Sequence, residues 1–564
     1  MNGRSELSYL IGTSGEGFSG RRSSPTDTCA RSARPIRLAA VHGRPPTFLH
    51  LSLLAMSHDD HGTADVCVVG SGASGAIAAS VLALAGRKVL LLEEGARLAK
   101  DATYAEARAE SERAYVRTPE GKWHLVGNPW TVRAFGGGMS WFAGIAFRYR
   151  EVDFDASSYT ATDALDPIWP INYEDLRPYY DQVEQILGVA RQPNADPLEP
   201  AGAPPPLPPH PYSFRGRLLA EAAVALGLKP FPTPLAINSV KYAGSPRCER
   251  LTSCTERQCP VGAKATAIAR ILEPLEGLSN LHIHTSSKAI HLLQSRPTRV
   301  SAVEWIDLET RRSKTTRIRC VVLAANAVQS AALLLRSTSR WAPTGMGNRS
   351  DQVGRGLSFK VSGYAAGSIK ARGAAVPSGR GTNGMHSTVA FSDYYLDAEC
   401  PSGLGGMLYE ANPVAQDPND DRLTLRLHFL AGDQPMATNL VRLAKRKSSL
   451  GLNLLTLDYT TSTVDSERGD YLASRAEALL RAAKAEDIVR QGSNYQYGSG
   501  HLHGTCRAGS DPSTSVVDSD GRVHTLDNVF VVDGGYMPFA GGVNPTLTIQ
   551  ANALRIAQKI VHVC

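Results

Sequence analysis

A glycine-rich turn, Gly70-Ser-Gly-Ala-Ser-Gly75, stands between a short apolar run, Asp65-Val-Cys-Val-Val69, and a stretch of helical character, Ala76-Ile-Ala-Ala-Ser-Val-Leu-Ala-Leu84. Strand, glycine turn and helix in immediate succession constrain this chain more than any other feature. Together they open a parallel βαβ unit shaped to receive a dinucleotide. Gly70 permits the tight turn, Gly72 lets a pyrophosphate approach the backbone, and Gly75 lets helix and strand pack closely. The helix N-terminus adds free N–H groups and partial positive charge, with Ser71 and Ser74 in the same loop. A second strand-like run, Lys88-Val-Leu-Leu-Leu92, ends in Glu93. It lies about 20 residues beyond the glycines, where a carboxylate binds ribose hydroxyls and disfavours a 2′-phosphate. The expected class is α/β, with a Rossmann-like dinucleotide domain at the front.

At 564 residues the chain can bury substantial cores and fill about two domains. It contains no apolar run of the roughly 18 residues that a membrane-spanning helix requires. The net charge of +7 is modest, and residues 1–55 contribute more than half of it through seven arginines against three acidic residues. That balance does not point to nucleic acid.

Residues 1–55 are dominated by Arg, Ser, Gly and Pro without helical or strand period, so disorder is expected there. Arg21-Arg22 is followed by polar residues rather than the apolar core of an export signal, and Phe48-Leu-His-Leu-Ser-Leu-Leu-Ala55 lacks a small-residue cleavage site. Met56-Ser-His-Asp-Asp60 reads as a natural start, which makes the extension an over-long gene start. Without a signal the expected location is cytoplasmic.

Further along, Phe135-Gly-Gly-Gly-Met-Ser140 and Gly144 predict a loop where backbone passes close to something flat or charged. An amphipathic helix is expected from the Trp169–Tyr180 stretch to Leu187, followed by a proline-rich linker from Pro193 to Pro211. Val300–Ile306 and Ile318–Ala324 read as strands and Ala327–Ser337 as a helix. Residues 360–490 mix short apolar runs with Gly, Asn and Asp, which suits an antiparallel sheet. Nine cysteines in such a chain do not make a disulfide framework. Cys248, Cys254 and Cys259 cluster closely enough to hold an iron–sulfur centre or zinc. Their spacing matches no familiar ligand pattern, so reduced or structural cysteines are the preferred reading.

The tail carries His501-Leu-His503-Gly-Thr-Cys-Arg507, Asp533-Gly-Gly535 and Asn544-Pro-Thr-Leu-Thr548. With the glycine turn, Leu92-Glu-Glu-Gly95, Gly137-Gly-Met-Ser-Trp-Phe-Ala-Gly144, Arg148, Asp153-Phe-Asp155 and Val353-Gly-Arg-Gly-Leu357, the chain from Met56 onward resembles the glucose–methanol–choline (GMC) flavoprotein oxidoreductases. More narrowly, Phe231–Asn238, Asn326–Arg336 and Thr344–Asn348 are similar to alcohol oxidases of aminoglycoside pathways that act on a paromamine-like 6′-hydroxymethyl group.

The resemblance implies an FAD-binding domain from residues 62–160, 212–345 and 495–564, with an antiparallel-sheet substrate domain from 161–211 and 346–494. Gly137, Gly138, Ser140, Asp533, Gly534, Asn544 and Thr546 join the dinucleotide loop as cofactor contacts. The cofactor is expected to be non-covalent, because Trp141 and Phe142 stand where some relatives carry an attaching histidine, and Ala143 replaces a frequent asparagine. His501 is the expected base and Asn544 the donor that orients the substrate oxygen. His503 is the rival base, since alternation along a strand would leave both histidines on one face. Read without the family, Asn544 is an N-cap, Pro545 the first helical residue, and Leu547, Ala551, Leu554 and Val561 one helix face. The positive end of that helix would favour an anionic reduced ring.

The expected reaction is oxidation of an amino-sugar alcohol to an aldehyde or ketone, with oxygen or an electron-transfer partner as final acceptor. A pyranoside or polyol dehydrogenase and a non-redox lyase that keeps FAD as structure are the alternatives. A polycationic substrate calls for carboxylates, and Asp393, Asp397, Glu399 and Glu410 lie in the region expected to meet it.

Overall fold

The apolar runs Val66–Val69, Val89–Leu92 and Cys320–Leu323 are almost entirely buried, as continuous runs must be in a sheet covered on both faces. In the computed structural model they pair side by side: Cys67 lies opposite Leu90 on one flank and Val321 on the other, all parallel. The model describes residues 59–109, 113–118, 120–126, 132–251, 253–370, 385–412, 422–491 and 499–564. The expected extension of residues 1–55 lies outside them.

Among the described residues, this first sheet runs in the order Leu281–His284, Val89–Leu92, Asp59–Val69, Arg312–Leu323, Arg299–Asp307, Ser287–Arg296. Val529–Val531 adds in parallel to Arg312–Leu323, while the last two strands of the order pair antiparallel. The helix after the glycine turn spans Ala73–Leu84 and packs against the C-terminal helix, Thr546–Val563. Cys320 and Cys564 are disulfide-bonded, which joins the end of that helix to the sheet.

The expected antiparallel sheet is present: Glu486–Gln491, Val361–Lys370, Arg422–Ala431, Gly406–Glu410, Val389–Phe391 and Phe231–Pro232 follow one another in space. A helix that the sequence reading did not anticipate, Thr463–Ala482, packs on it through Leu472, Ala473, Ala476, Leu479 and Leu480. These apolar positions crowd into its second half, so no helical period stands out over the full length. Ser462, which accepts from the Asp465 N–H, was the cap signal that marks its start. A smaller sheet joins Ala114–Arg117 and Trp123–Val126 to Asn453–Asp458 and Leu440–Lys447. The helix expected to reach Leu187 begins at Tyr173, capped by Asn172. Among the described residues no helix is long and apolar enough to cross a membrane.

Candidate functional site

The three loop glycines differ in what their missing side chains permit. Gly70 has φ +100°, and a Cβ on Gly75 would meet the Gly70 carbonyl oxygen at 1.9 Å. Those two glycines are required by the protein's own packing. Gly72 is different, because a Cβ there would meet nothing nearer than the Gly137 Cα, at a van der Waals distance of 3.9 Å, and the residue lines a cavity. The helix that follows has no capping side chain and no acidic residue in its first turn. Its N–H groups and positive end are left available to an anion. This cradle fits a dinucleotide pyrophosphate.

A cavity of about 390 Å³ opens in front of it, a volume ordinary for a small-molecule site. Gly70, Gly72, Ser74, Glu93, Gly137, Gly138, His501, Asp533, Gly534 and Thr546 line its wall. Ser71, Gly75, Ser140 and Asn544 do not line it. Ser71 donates to Glu93 through its N–H at 3.0 Å and its hydroxyl at 2.7 Å, and its Oγ accepts from the Gly136 N–H at 2.8 Å. One serine thereby fixes both glycine loops and the acid. The other Glu93 oxygen accepts from the Gly95 N–H at 2.8 Å and has capacity for a ribose hydroxyl. Burial pushes the Glu93 carboxyl up, against the pull of these donors. Burial likewise lifts Asp533 to about 6, while Ser330 and the Gly535 N–H donate to it. Ser140 receives Lys264 on its carbonyl at 3.0 Å, and its hydroxyl has no partner among the described residues.

The two histidines part company. His501 forms part of the wall. His503 is fully buried, pairs by its backbone with Ser358, and has no standard ring hydrogen bond among the described residues. Both imidazoles lie far below the ordinary range, through burial first and the positive Lys360 second. Burial, helped by Lys360, pushes His501 down to about 3.

Asn544 is not the N-cap. Pro545 occupies the cap position and Thr546 begins the helix, so the amide side chain is free to turn to Tyr409, donating to its hydroxyl at 3.4 Å. Its oxygen has no partner among the described residues. Pro545, Thr546 and Ile549 line the cavity, so the start of the helix borders it. The helix is buried on more sides than one face, with Ile560 taking the deep position expected of Val561.

Sequence reasoning missed an aromatic cluster beside Asn544, which does not itself line the cavity. Tyr364, His428 and Tyr409 come into register on adjacent antiparallel strands. His428 stacks on Tyr364 at 4.4 Å between centroids, meets Tyr409 edge-on at 4.8 Å, and bonds Ser362 at 2.7 Å. Polar Arg426 and His428 alternating with leucines in a buried strand were the available signal. Glu410 follows Tyr409 and therefore lies on the other face of the sheet. There it accepts from Ser213, the Thr388 N–H at 2.8 Å and the Thr388 hydroxyl. Asp393 accepts from the Lys229 N–H, Asp397 from Tyr471, and Glu399 pairs with Arg475. None of these four carboxylates lines the cavity.

Among the described residues no group of three or more His, Cys, Asp or Glu is arranged to hold a metal ion. Cys248, Cys254 and Cys259 are free thiols, and burial pushes Cys254 up to about 11.

The family model described as GMC oxidoreductase matches residues 167–361 and 435–553, and a NAD(P)-binding Rossmann-like model matches residues 68–120. The chain is 44% identical to paromamine 6'-oxidase of Streptomyces fradiae over 506 residues, covering 89% of this chain and 92% of the relative. It is 43% identical to 6'''-hydroxyparomomycin C oxidase of Streptomyces lividus over 522 residues, covering 91% and 95%. Among solved structures, pyridoxine 4-oxidase from Mesorbium loti superposes with a TM-score of 0.64 at 22% identity, over 89% of this chain and 99% of that one. The fold agrees with the sequence matches. The chain belongs to the GMC oxidoreductase family, whose dinucleotide cofactor is FAD.

Proposed function

We propose that this enzyme is an FAD-dependent oxidase of a hydroxymethyl group on an aminoglycoside amino sugar, converting it to the aldehyde with oxygen as final acceptor. One observation carries the reading: His501 and the uncapped helix terminus after Gly72 line the same cavity. The substrate class is supported by the two Streptomyces relatives, whose names give paromamine and 6'''-hydroxyparomomycin C as what they oxidise.

FAD, when bound, supplies the hydride acceptor. The chain's residues have separate tasks. Gly72, Ser74 and the helix N-terminus hold the pyrophosphate, and Glu93 the ribose. Trp141 and Phe142 line the cavity without a nucleophile that could attach the ring, which supports non-covalent binding. His501 takes the hydroxyl proton, because an alcohol carbon releases hydride only as that proton leaves. The Asn544 amide orients the same oxygen, and the positive end of the last helix favours negative charge developing in front of it.

The test is anaerobic mixing of the FAD-loaded enzyme with paromamine-like pseudosaccharides. The flavin band should bleach, and admitting air should return it with one hydrogen peroxide per aldehyde. A band that no amino sugar bleaches refutes the reading. Bleaching without peroxide replaces the oxidase by a dehydrogenase.

A further inference from the structure

Lys360 is fully buried and adopts φ +66°, a left-handed conformation unfavourable for a residue with a side chain. No carboxylate hydrogen-bonds its ammonium among the described residues. The ammonium donates instead to the carbonyl oxygens of Ala540, Gly541 at 2.7 Å and Val543 at 2.8 Å, with the Tyr149 hydroxyl at 3.4 Å. Three carbonyls converge there on one ammonium, which has three N–H donors, and the Ala540 carbonyl also accepts from the Tyr149 hydroxyl. The Gly542 N–H of the same loop is tied elsewhere, donating to Tyr395 at 2.8 Å, and Tyr395 donates to Asp153. Asn544 follows directly.

The backbone beside Lys360 holds the other half of the site. Ser358 pairs with His503 through both backbone groups at 3.1 and 3.3 Å. The Phe359 carbonyl accepts from Ser499, whose Oγ accepts from the His501 N–H at 3.2 Å. Residues 358–360 are thus bonded to the His501 segment by main chain and to the Asn544 segment by one side chain.

We propose that Lys360 is the positioning residue of the reaction centre: its ammonium clamps the Ala540–Val543 loop and so sets Asn544 and the start of the last helix relative to His501. The inference rests on the roles proposed above for His501 and Asn544. Its charge has a second consequence. Asp153, Asp433, Tyr149, His501 and His503 are the titratable groups around it; burial lowers Lys360 itself to about 7 against the pull of Asp153 and Asp433, and while protonated it helps hold the two histidines neutral. A base must be neutral to take a proton.

The experiment compares FAD-loaded wild type, Lys360→Met, which keeps the stem and loses charge and donors, and Lys360→Gln, which keeps donors without charge. Hydrogen exchange of residues 538–548 reads the clamp without substrate. Anaerobic flavin reduction across pH reads its effect on the site. Lys360→Met should lose protection at residues 540–545 while retaining FAD, and reduction should slow by about 10²-fold, the scale expected of an ångström's misplacement. Its acidic limb should move upward. Lys360→Gln should recover part of the protection and keep the raised limb, which decides the matter if Lys360→Met does not fold. Unchanged protection in the variants overturns the proposal, as does lost protection with reduction within twofold of wild type. A wild type that no amino sugar reduces sinks the oxidase reading, while the exchange measurement still decides the clamp.

Discussion

Gly75 stands so close to Gly70 that a Cβ on it would lie 1.9 Å from the Gly70 carbonyl oxygen, while Gly72, between them, faces open cavity. Substitutions should separate the two roles. Gly75→Ala forces backbone apart and should cost at least the roughly 1–3 kcal/mol of an overpacked core, read as a lower melting temperature. Gly72→Val should leave the apoprotein folded and abolish FAD binding, because its side chain enters only the ligand's space. A yellow, fully loaded Gly72→Val protein would remove Gly72 from the pyrophosphate site, and an unfolded one would contradict the space found there.

The histidines should fail in different assays. His501→Ala, on the cavity wall, should retain FAD and slow flavin reduction by roughly 10²–10⁴-fold, the usual worth of a positioned base. His503→Ala removes a fully buried ring and should mainly lower the melting temperature. Near-normal reduction in His501→Ala with a large loss in a folded His503→Ala protein would reverse the assignment.

How far such a site can be read from sequence depends on how local its parts are. The cradle around Gly72 and Glu93 was legible because strand, turn, helix and acid follow within one βαβ unit. The end of the C-terminal helix that faces the cavity was legible for the same reason, although Pro545 rather than Asn544 proved to be its cap. What Asn544 does instead depends on Tyr409, 135 residues away, and the Val543 carbonyl is held by Lys360, 183 residues away. No local pattern encodes those pairings. Glu410 illustrates the same limit within a single strand, since a change of one position moves a side chain to the other face of the sheet.

The pH dependence follows from the direction of the His501 shift. A base is active when neutral, and a pKa lowered to about 3 extends the neutral range downward. The reductive rate should therefore be flat from neutrality down to about pH 5, instead of falling through the reference value of about 6.5. Rapid-mixing rates are the right observable, because turnover can be limited by reoxidation or product release. An acidic limb near pH 6.5 in the wild type would show that His501 is not held neutral.

Glu410 should prove structural. Glu410→Ala leaves the Thr388 N–H and hydroxyl and the Ser213 hydroxyl without their acceptor and should destabilise the fold by about 1–3 kcal/mol. The KM for an amino sugar relative to its neutral analogue should not change. A selective rise for the amine would place this carboxylate in substrate recognition despite its position behind the sheet.

The Tyr409 phenol is the neighbour to which the Asn544 amide donates, and the amide oxygen on the other side lacks a partner among the described residues. Asn544 therefore has one amide N–H anchored on Tyr409, and the second N–H is the donor through which the proposed orientation of a bound hydroxyl oxygen would be made. Tyr409→Phe removes the anchor and keeps the ring against His428. It should slow reduction by roughly tenfold, about one neutral hydrogen bond's worth of orientation, with FAD retained. Asn544→Ala should lose more, since the amide itself is gone. In the Asn544→Ala background, adding Tyr409→Phe should cost little further, because the two act through one contact. Additive losses in that double-mutant cycle would mean that Tyr409 contributes by another route, and that the amide is positioned without it.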